Sequence, residues 1–279
     1  MILVAGGQLD PNIGALLKRV LARGLPFRDL LVGPSLAPAI RITLGGELAL
    51  DGQVVEPTAC FVRHDVFLSQ KTGEVADQRA ALNWYHAVRG WAGSRADVRL
   101  LNRRARGADH NKLENLARAI EAGLAVPATV VATDAEALAW NGPKVRKPVA
   151  GGELTEAVSD ATPPTYPYFI QARLDRPELR AYRVGDRVLG FELESPDLDY
   201  REHQAVSLRE GVVPAELADR LVALCEALGL DFAAADFMRG PDGEWIFLEV
   251  NSQPMFAAFD KVAEGRLADA ILDWLCAAA

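Results

Sequence analysis

The chain has 279 residues, half of them hydrophobic and 24% charged, with a net charge of -8. That length suggests about two domains with chain enough for a core, and the acidic balance argues against a nucleic-acid partner, which would call for a basic face. Three scattered cysteines (Cys60, Cys225, Cys276) without metal-ligand spacing, no signal-peptide pattern after Met1 and no apolar run near the roughly 20 residues of a membrane helix lead us to expect a soluble, cytoplasmic protein without a membrane partner.

Ile2 to Ala5 reads as a buried strand entering a Gly6-Gly7 turn. Asn12 to Ala22 follows as a helix with apolar positions at Ile13, Leu16, Leu17, Val20 and Leu21, and Asp29 to Val32 completes a βαβ start. The G-x-G-x-x-G pattern is absent, so a nicotinamide site is set aside. Ile42 to Val55 suggests a small hairpin, and Cys60 to Asp65 a strand ending in polar residues. Arg63 there is either a substrate contact at the end of a parallel strand or a surface salt-bridge partner. Gln78 to Gly90 is predicted as a helix and Val98 to Asn102 as a short strand.

Arg103 to Gly107 then forms a basic linker, and Asn111 is placed to cap a helix from Lys112 to Ala122 that stops at Gly123. Strands are predicted from Val126 to Val131, from Lys144 into the Gly-rich segment at Gly151-Gly152, and from Tyr168 to Ala172. A hairpin spans Leu179 to Leu193 around Val184-Gly185-Asp186, a helix runs from Ala215 to Leu228, and another closes the chain from Ala263 to Leu275. Between those helices lie two apolar strands joined at Pro241-Asp242-Gly243.

Those two strands carry the chemistry. Asp236 interrupts the first, Glu249 and Asn251 the second, and alternation puts Glu249 and Asn251 on one face. If Asp236 shares that face, three oxygen-bearing side chains converge and call for a cation, for which Mg2+ is suited. The alternative is a surface hairpin with acids in solvent. Lys147 stands in an apolar strand beside a Gly-rich turn, and Lys112 begins a helix whose amides favour anions. Arg180 and Arg201 flank the central hairpin. Each of these cations alone is more often a solvated surface side chain; together with the acidic hairpin they suit phosphoryl transfer.

Taken in order, Asn111-Lys112-Leu113, Gly123 to Thr129, Lys147-Pro148, Gln171, Glu178-Leu179-Arg180, Asp199-Tyr200-Arg201, Asp236 and Leu248-Glu249-Val250-Asn251 resemble the ATP-grasp superfamily, and within it the RimK-type ligases and the microviridin-type (graspetide) peptide cyclases. The resemblance runs from about Asn111 to the C-terminus; the first hundred residues match only as a generic α/β domain. It implies an α/β and α+β chain with an N-terminal domain over 1–102, a central lobe over 103–168 and a C-terminal lobe over 169–279, the two lobes clasping ATP. It further implies that Lys112 and Lys147 meet the phosphates, Gln171 and Ala172 the adenine, and Glu178 the ribose. Arg180 and Arg201 would approach the transferring group, and Asp236, Glu249 and Asn251 would hold Mg2+. The implied reaction activates a carboxylate as an acyl phosphate and joins it to an amine or hydroxyl on a peptide or amino-acid substrate. A small-metabolite ligase, a non-catalytic nucleotide-binding regulator and a homo-oligomeric assembly stay open. Two departures stand out: His203 where the ribosomal-protein glutamate ligases carry Asn, and a shortened segment from Val149 to Glu153.

Overall fold

A computed structural model describes residues 1–105, 111–133, 142–150, 154–158, 166–198 and 206–277. It divides into two units, Met1–Arg103 with Met255–Ala279, and Arg104–Pro254.

The first unit begins with β1 (Ile2–Gly7), buried at every residue. There follow α1 (Pro11–Ala22), β2 (Phe27–Val32), β3 (Ile40–Ile42), β4 (Leu48–Leu50), β5 (Gln53–Val55), β6 (Ala59–Val62), α2 (Phe67–Thr72), α3 (Val75–Ser94) and β7 (Arg99–Leu100). A parallel sheet runs in the order β2-β1-β6-β7, and β3, β4 and β5 form a separate antiparallel meander. Asp10 caps α1 by accepting from the Asn12 amide at 2.8 Å, with Pro11 at the first helical position. Ile13, Leu16 and Val20 supply its buried face, while Leu21 is exposed. Arg63 is a salt-bridge partner, though in the interior rather than at the surface as expected: its Nε donates to Asp10 Oδ2 at 2.7 Å and both side chains are buried.

The second unit opens with α4 (Lys112–Glu121), capped by Asn111, whose Oδ1 accepts from the amides of Leu113 and Glu114. It continues through β8 (Thr129–Ala132), β9 (Lys144–Pro148), β10 (Glu156–Ala157) and β11 (Tyr168–Ala172), an antiparallel sheet in the order β10-β9-β11-β8. A second antiparallel sheet, in the order β14-β13-β12-β15-β16, is built from β12 (Asp175–Val184), β13 (Arg187–Glu194), β14 (Ser207–Gly211), β15 (Phe232–Arg239) and β16 (Trp245–Asn251). Helix α5 (Ala215–Leu228) buries Leu217, Leu221, Leu224, Cys225 and Leu228 in a core shared with Leu179, Ala181, Phe237, Phe247 and Val250 of the sheet. The helix ends at Gly229 with φ 71°, where an added Cβ would lie 2.7 Å from the Arg104 carbonyl oxygen.

The chain closes with α6 (Ala257–Val262) and α7 (Arg266–Cys276), where the sequence pattern shows one helix from Ala263. These helices belong to the first unit rather than to the lobe expected over 169–279. Asn12 is the reason visible in the side chains: its Oδ1 accepts from the amides of Phe256 and Ala257 at 2.6 and 2.8 Å, its Nδ2 donates to Asp10, and Arg19 and Arg23 pair with Asp269. The boundary expected at 168/169 also falls inside β11, which pairs with both β8 and β9 and so stays with the four-stranded sheet. Asn12→Ala removes four side-chain hydrogen bonds at once, to Asp10, Met255, Phe256 and Ala257, and is expected to destabilise the first unit by about 2–3 kcal/mol in denaturant unfolding. Leu21→Ala, on the exposed side of the same helix, should stay within about 0.5 kcal/mol.

Candidate active site

The faces of the five-stranded sheet are set by register. Leu179 pairs with Phe237 and Ala181 with Ala235, all of them in the core beneath α5. The intervening residues point the other way, so Glu178, Arg180 and Tyr182 of β12 share the opposite face. Across the strands Arg180 pairs with Asp236, and Asp236 pairs with Glu249. One row therefore carries a cation and two acids.

A bulge decides whether Glu249 can join that row. Phe247 and Glu249 are two residues apart and would ordinarily share a face. Phe247 is fully buried against Phe237, ring centroids 5.8 Å apart, and that face is the core. The register shifts between Asp236 and Phe237: Phe237 faces Phe247 while Asp236 faces Glu249, and Leu248 is the extra residue. The bulge turns Glu249 away from the core and returns Val250 to it. Asn251, opposite Ala234, lies beside Glu249 and donates through Nδ2 to Glu249 Oε1 at 3.3 Å.

Positive charge meets these acids from three elements. Arg180 Nη1 lies 3.0 Å from both Asp236 oxygens, with both side chains 8% exposed. Lys112, at the start of α4, places Nζ 3.8 Å from Glu249 Oε2. Lys147 of β9 lies within the electrostatic reach of Glu249, Lys112, Glu178 and Asp236. Alternation along β9 puts Lys147 with Val145 and sends Lys144 to the other side. Arg176 adds a contact to Glu178 at 3.5 Å. Arg201 lies outside the described residues, as do Asp199, Tyr200, His203 and Gly151-Gly152.

Burial and charge pull these groups in opposite directions. Burial pushes the Asp236 carboxyl up to about 8 against the pull of Arg180, and Glu178 and Glu249 add to the rise. Glu178 is also raised, by burial first, with Arg176 and Arg180 opposing. Burial works against Glu249 as well, but Lys112, Lys147, the Asn251 hydrogen bond and Arg180 outweigh it and hold its pKa below the ordinary value. Burial lowers the Lys147 ammonium, while Glu249, Glu178 and Asp236 hold it up. Asp236, more than Glu249, is thus the acid whose charge is under-compensated.

Among the described residues no three His, Cys, Asp or Glu side chains form a metal-binding group. The oxygen set of this row is therefore two carboxylates and the Asn251 amide. Oxygen-only donors with a deficit of positive charge fit Mg2+, which takes its remaining ligands from water and phosphate.

Gln171 is buried on the same side of its strand as Phe169, and its Nε2 donates to Thr129 Oγ1 at 3.0 Å. Ala172 gives its backbone N–H to Ala128 O at 3.3 Å. Three partners escaped the sequence reading: Arg176 for Glu178, Thr129 for Gln171 and Tyr182 for Arg180. Of these Arg176 and Tyr182 were within reach of alternation, each two residues from its partner on one strand, while Thr129 comes from another strand. The cysteines divide: Cys60 and Cys225 are buried, with burial raising both thiols (Cys225 to about 12), while Cys276 is exposed.

The raised Asp236 carboxyl has a consequence for stability. Between its ordinary 3.8 and about 8 the folded protein holds a proton that the unfolded chain has released. Stability from this group is thus full below about 4 and is lost as pH rises toward 8. Asp236→Asn is expected to flatten the fall in unfolding free energy over that window, measured by denaturant titration without nucleotide.

No protein-family model and no curated protein matches the chain. Solved structures do. The ATP-grasp ligase PsnB, complexed with a minimal precursor, superposes with a TM-score of 0.77 at 24% identity, over 98% of each chain. The macrocyclase MdnC from Microcystis aeruginosa MRC, bound with precursor peptide MdnA, gives 0.77 at 19% identity over 99% of each chain. The VanG D-Ala:D-Ser ligase from Enterococcus faecalis gives 0.63 at 16% identity over 98% of each chain. With nearly full coverage of every chain compared, this protein has the ATP-grasp fold.

Proposed function

We propose that the chain is an ATP-dependent ligase that activates a carboxylate as an acyl phosphate and joins it to an amine or hydroxyl on a peptide. The observation that carries this reading is the Arg180–Asp236–Glu249 row, with Lys112 and Lys147 brought to it from two other elements. Support for a peptide substrate comes from the similar ligases solved with precursor peptides, and for nucleotide and metal from PsnB solved with Mg and ADP. The D-Ala:D-Ser ligase keeps a free amino-acid or small-metabolite acid as the second reading. A regulator that no longer binds magnesium-nucleotide is disfavoured, because buried acids short of positive charge are destabilising without a cation.

In this reading a substrate carboxylate oxygen attacks the terminal phosphorus of ATP, and the bond to the departing ADP breaks. The amine or hydroxyl then attacks the acyl carbon and inorganic phosphate leaves. Mg2+, held by Asp236, Glu249 and Asn251, would offset charge on the phosphates. Lys112 and Lys147 hold the phosphate oxygens as point charges. Arg180 faces the transferring group, and the resemblance gives Arg201 the same role. Gln171 and Ala172 line the adenine position, and Glu178, steadied by Arg176, accepts from the ribose. Among the described residues no helix is long and apolar enough to cross a membrane; a cytoplasmic location, where ATP and reduced thiols are available, accords with this reading.

Titration with a non-hydrolysable ATP analogue tests the site. Lys147→Ala is expected to weaken binding more than Lys144→Ala, since the two point to opposite sides of β9; the reverse order would remove Lys147 from the site. For the reaction, acid-rich synthetic peptides containing lysine, serine or threonine are incubated with magnesium-ATP and followed for ADP and for loss of one water by mass. Wild type should act on at least one such peptide, and Glu249→Gln should lower that turnover by about 100- to 1,000-fold. Turnover only with free amino acids would select the second reading.

A further inference from the structure

On β12, Tyr182 stands two residues beyond Arg180 and shares its face. Arg180 is held at two points at least. Its Nη1 donates to both Asp236 oxygens at 3.0 Å, and its Nε donates to Tyr182 Oη at 3.1 Å. Bonds from different nitrogens of a planar group fix its plane as well as its position. Tyr182 is itself fully buried, its ring edge-on to Phe191 with centroids 5.6 Å apart and planes at 88°. It faces Ala234 on one neighbouring strand and Leu189 on the other. Apolar neighbours of this kind would accept a phenylalanine; the phenolic oxygen is the feature that needs a reason, because burying a hydroxyl requires a partner.

We infer that Tyr182 is a positioning residue that keeps the Arg180 guanidinium oriented when Asp236 exchanges it for a cation. This rests on the reading of Arg180 as the cation facing the transferring phosphoryl group. The two anchors differ in what happens to them. Asp236 is the Arg180 partner expected to take up Mg2+, so that anchor weakens when magnesium-nucleotide binds. Tyr182 is fully buried and packed against Phe191, so it stays where it is. Arg180 then swings free of the carboxylate about a fixed Nε contact, rather than losing its orientation altogether.

The test compares two ligands of the intact protein: magnesium-ADP, and magnesium-ADP with aluminium fluoride, which mimics the group in flight. Tyr182→Phe is expected to bind magnesium-ADP within about twofold of wild type and the fluoride complex about tenfold or more weakly, the size of a lost hydrogen bond to a charged group. Arg180→Lys, which has no fork to orient, should show the same selective loss, and the double variant should lose no more than Arg180→Lys alone. Thermal melting accompanies each titration. Equal weakening toward both ligands, or additive losses in the double variant, would assign Tyr182 a purely structural role and overturn the inference. If Arg180→Lys loses the fluoride complex while Tyr182→Phe keeps it, the inference fails and the site stands. If Arg180→Lys binds both ligands as wild type does, the role proposed for Arg180 fails, and the inference with it.

Discussion

Asp236 and Glu249 occupy facing positions on neighbouring strands, and both point to the same side of one sheet. Two carboxylates about 4 Å apart repel by roughly 4 kcal/mol at an effective dielectric near 20, and burial adds to the penalty. Positive charge has to come to them. Arg180 arrives from β12, Lys112 from the start of α4 and Lys147 from β9 of the other sheet, so the compensating groups come from three elements. The compensation is uneven: Glu249 is held ionised, while Asp236 is driven toward its protonated form in spite of the Arg180 contact. A site left short of positive charge in this way is prepared for a divalent cation. Arg180 would then be released toward whatever negative charge the cation brings with it.

The rest of the second unit serves to hold that row. Helix α5 presses Leu221, Leu224 and Leu228 against the back of the sheet, and the alternation this enforces turns Glu178, Arg180 and Tyr182 to the front. Leu248 supplies the one irregularity required, since without its bulge Phe247 and Glu249 would compete for the same face. On the back of the sheet Arg183 does the opposite of Arg180. Its Nε donates to Gly185 O at 2.7 Å and its Nη1 to Leu230 O at 3.0 Å, tying the β12–β13 turn to the segment before β15. Two arginines three residues apart on one strand thus divide between structure and chemistry by face alone.

Much of this was legible in the sequence because it is local. Apolar periodicity marks α1, α4 and α5, the Gly185-Asp186 and Pro241-Asp242-Gly243 turns mark their hairpins, and Asn111 and Gly123 mark the ends of α4. The candidate acids were visible because they interrupt apolar runs. What was hidden depends on contacts between distant segments. The cap that Asn12 makes on Phe256 and Ala257, with the Arg19 and Arg23 pairs to Asp269, reveals that the closing helices pack with the first unit. The bulge at Leu248 leaves no mark in composition, and the short edge strands β10 and β14 have no apolar alternation to announce them. Arg63 shows the limit from the other side: its position at the end of a parallel strand suits a substrate contact, yet Asp10 buries it in an ion pair.

The central claim is that the Arg180–Asp236–Glu249 row receives magnesium and nucleotide phosphate. A crystal structure with magnesium and a non-hydrolysable ATP analogue tests it most directly. The expected density shows a magnesium ion bound to the Asp236 and Glu249 oxygens, phosphates against Lys147 and Lys112, and Arg180 drawn off Asp236 while its Nε stays on Tyr182. Nucleotide bound elsewhere, with the Arg180–Asp236 pair intact and no ion on Glu249, would contradict it.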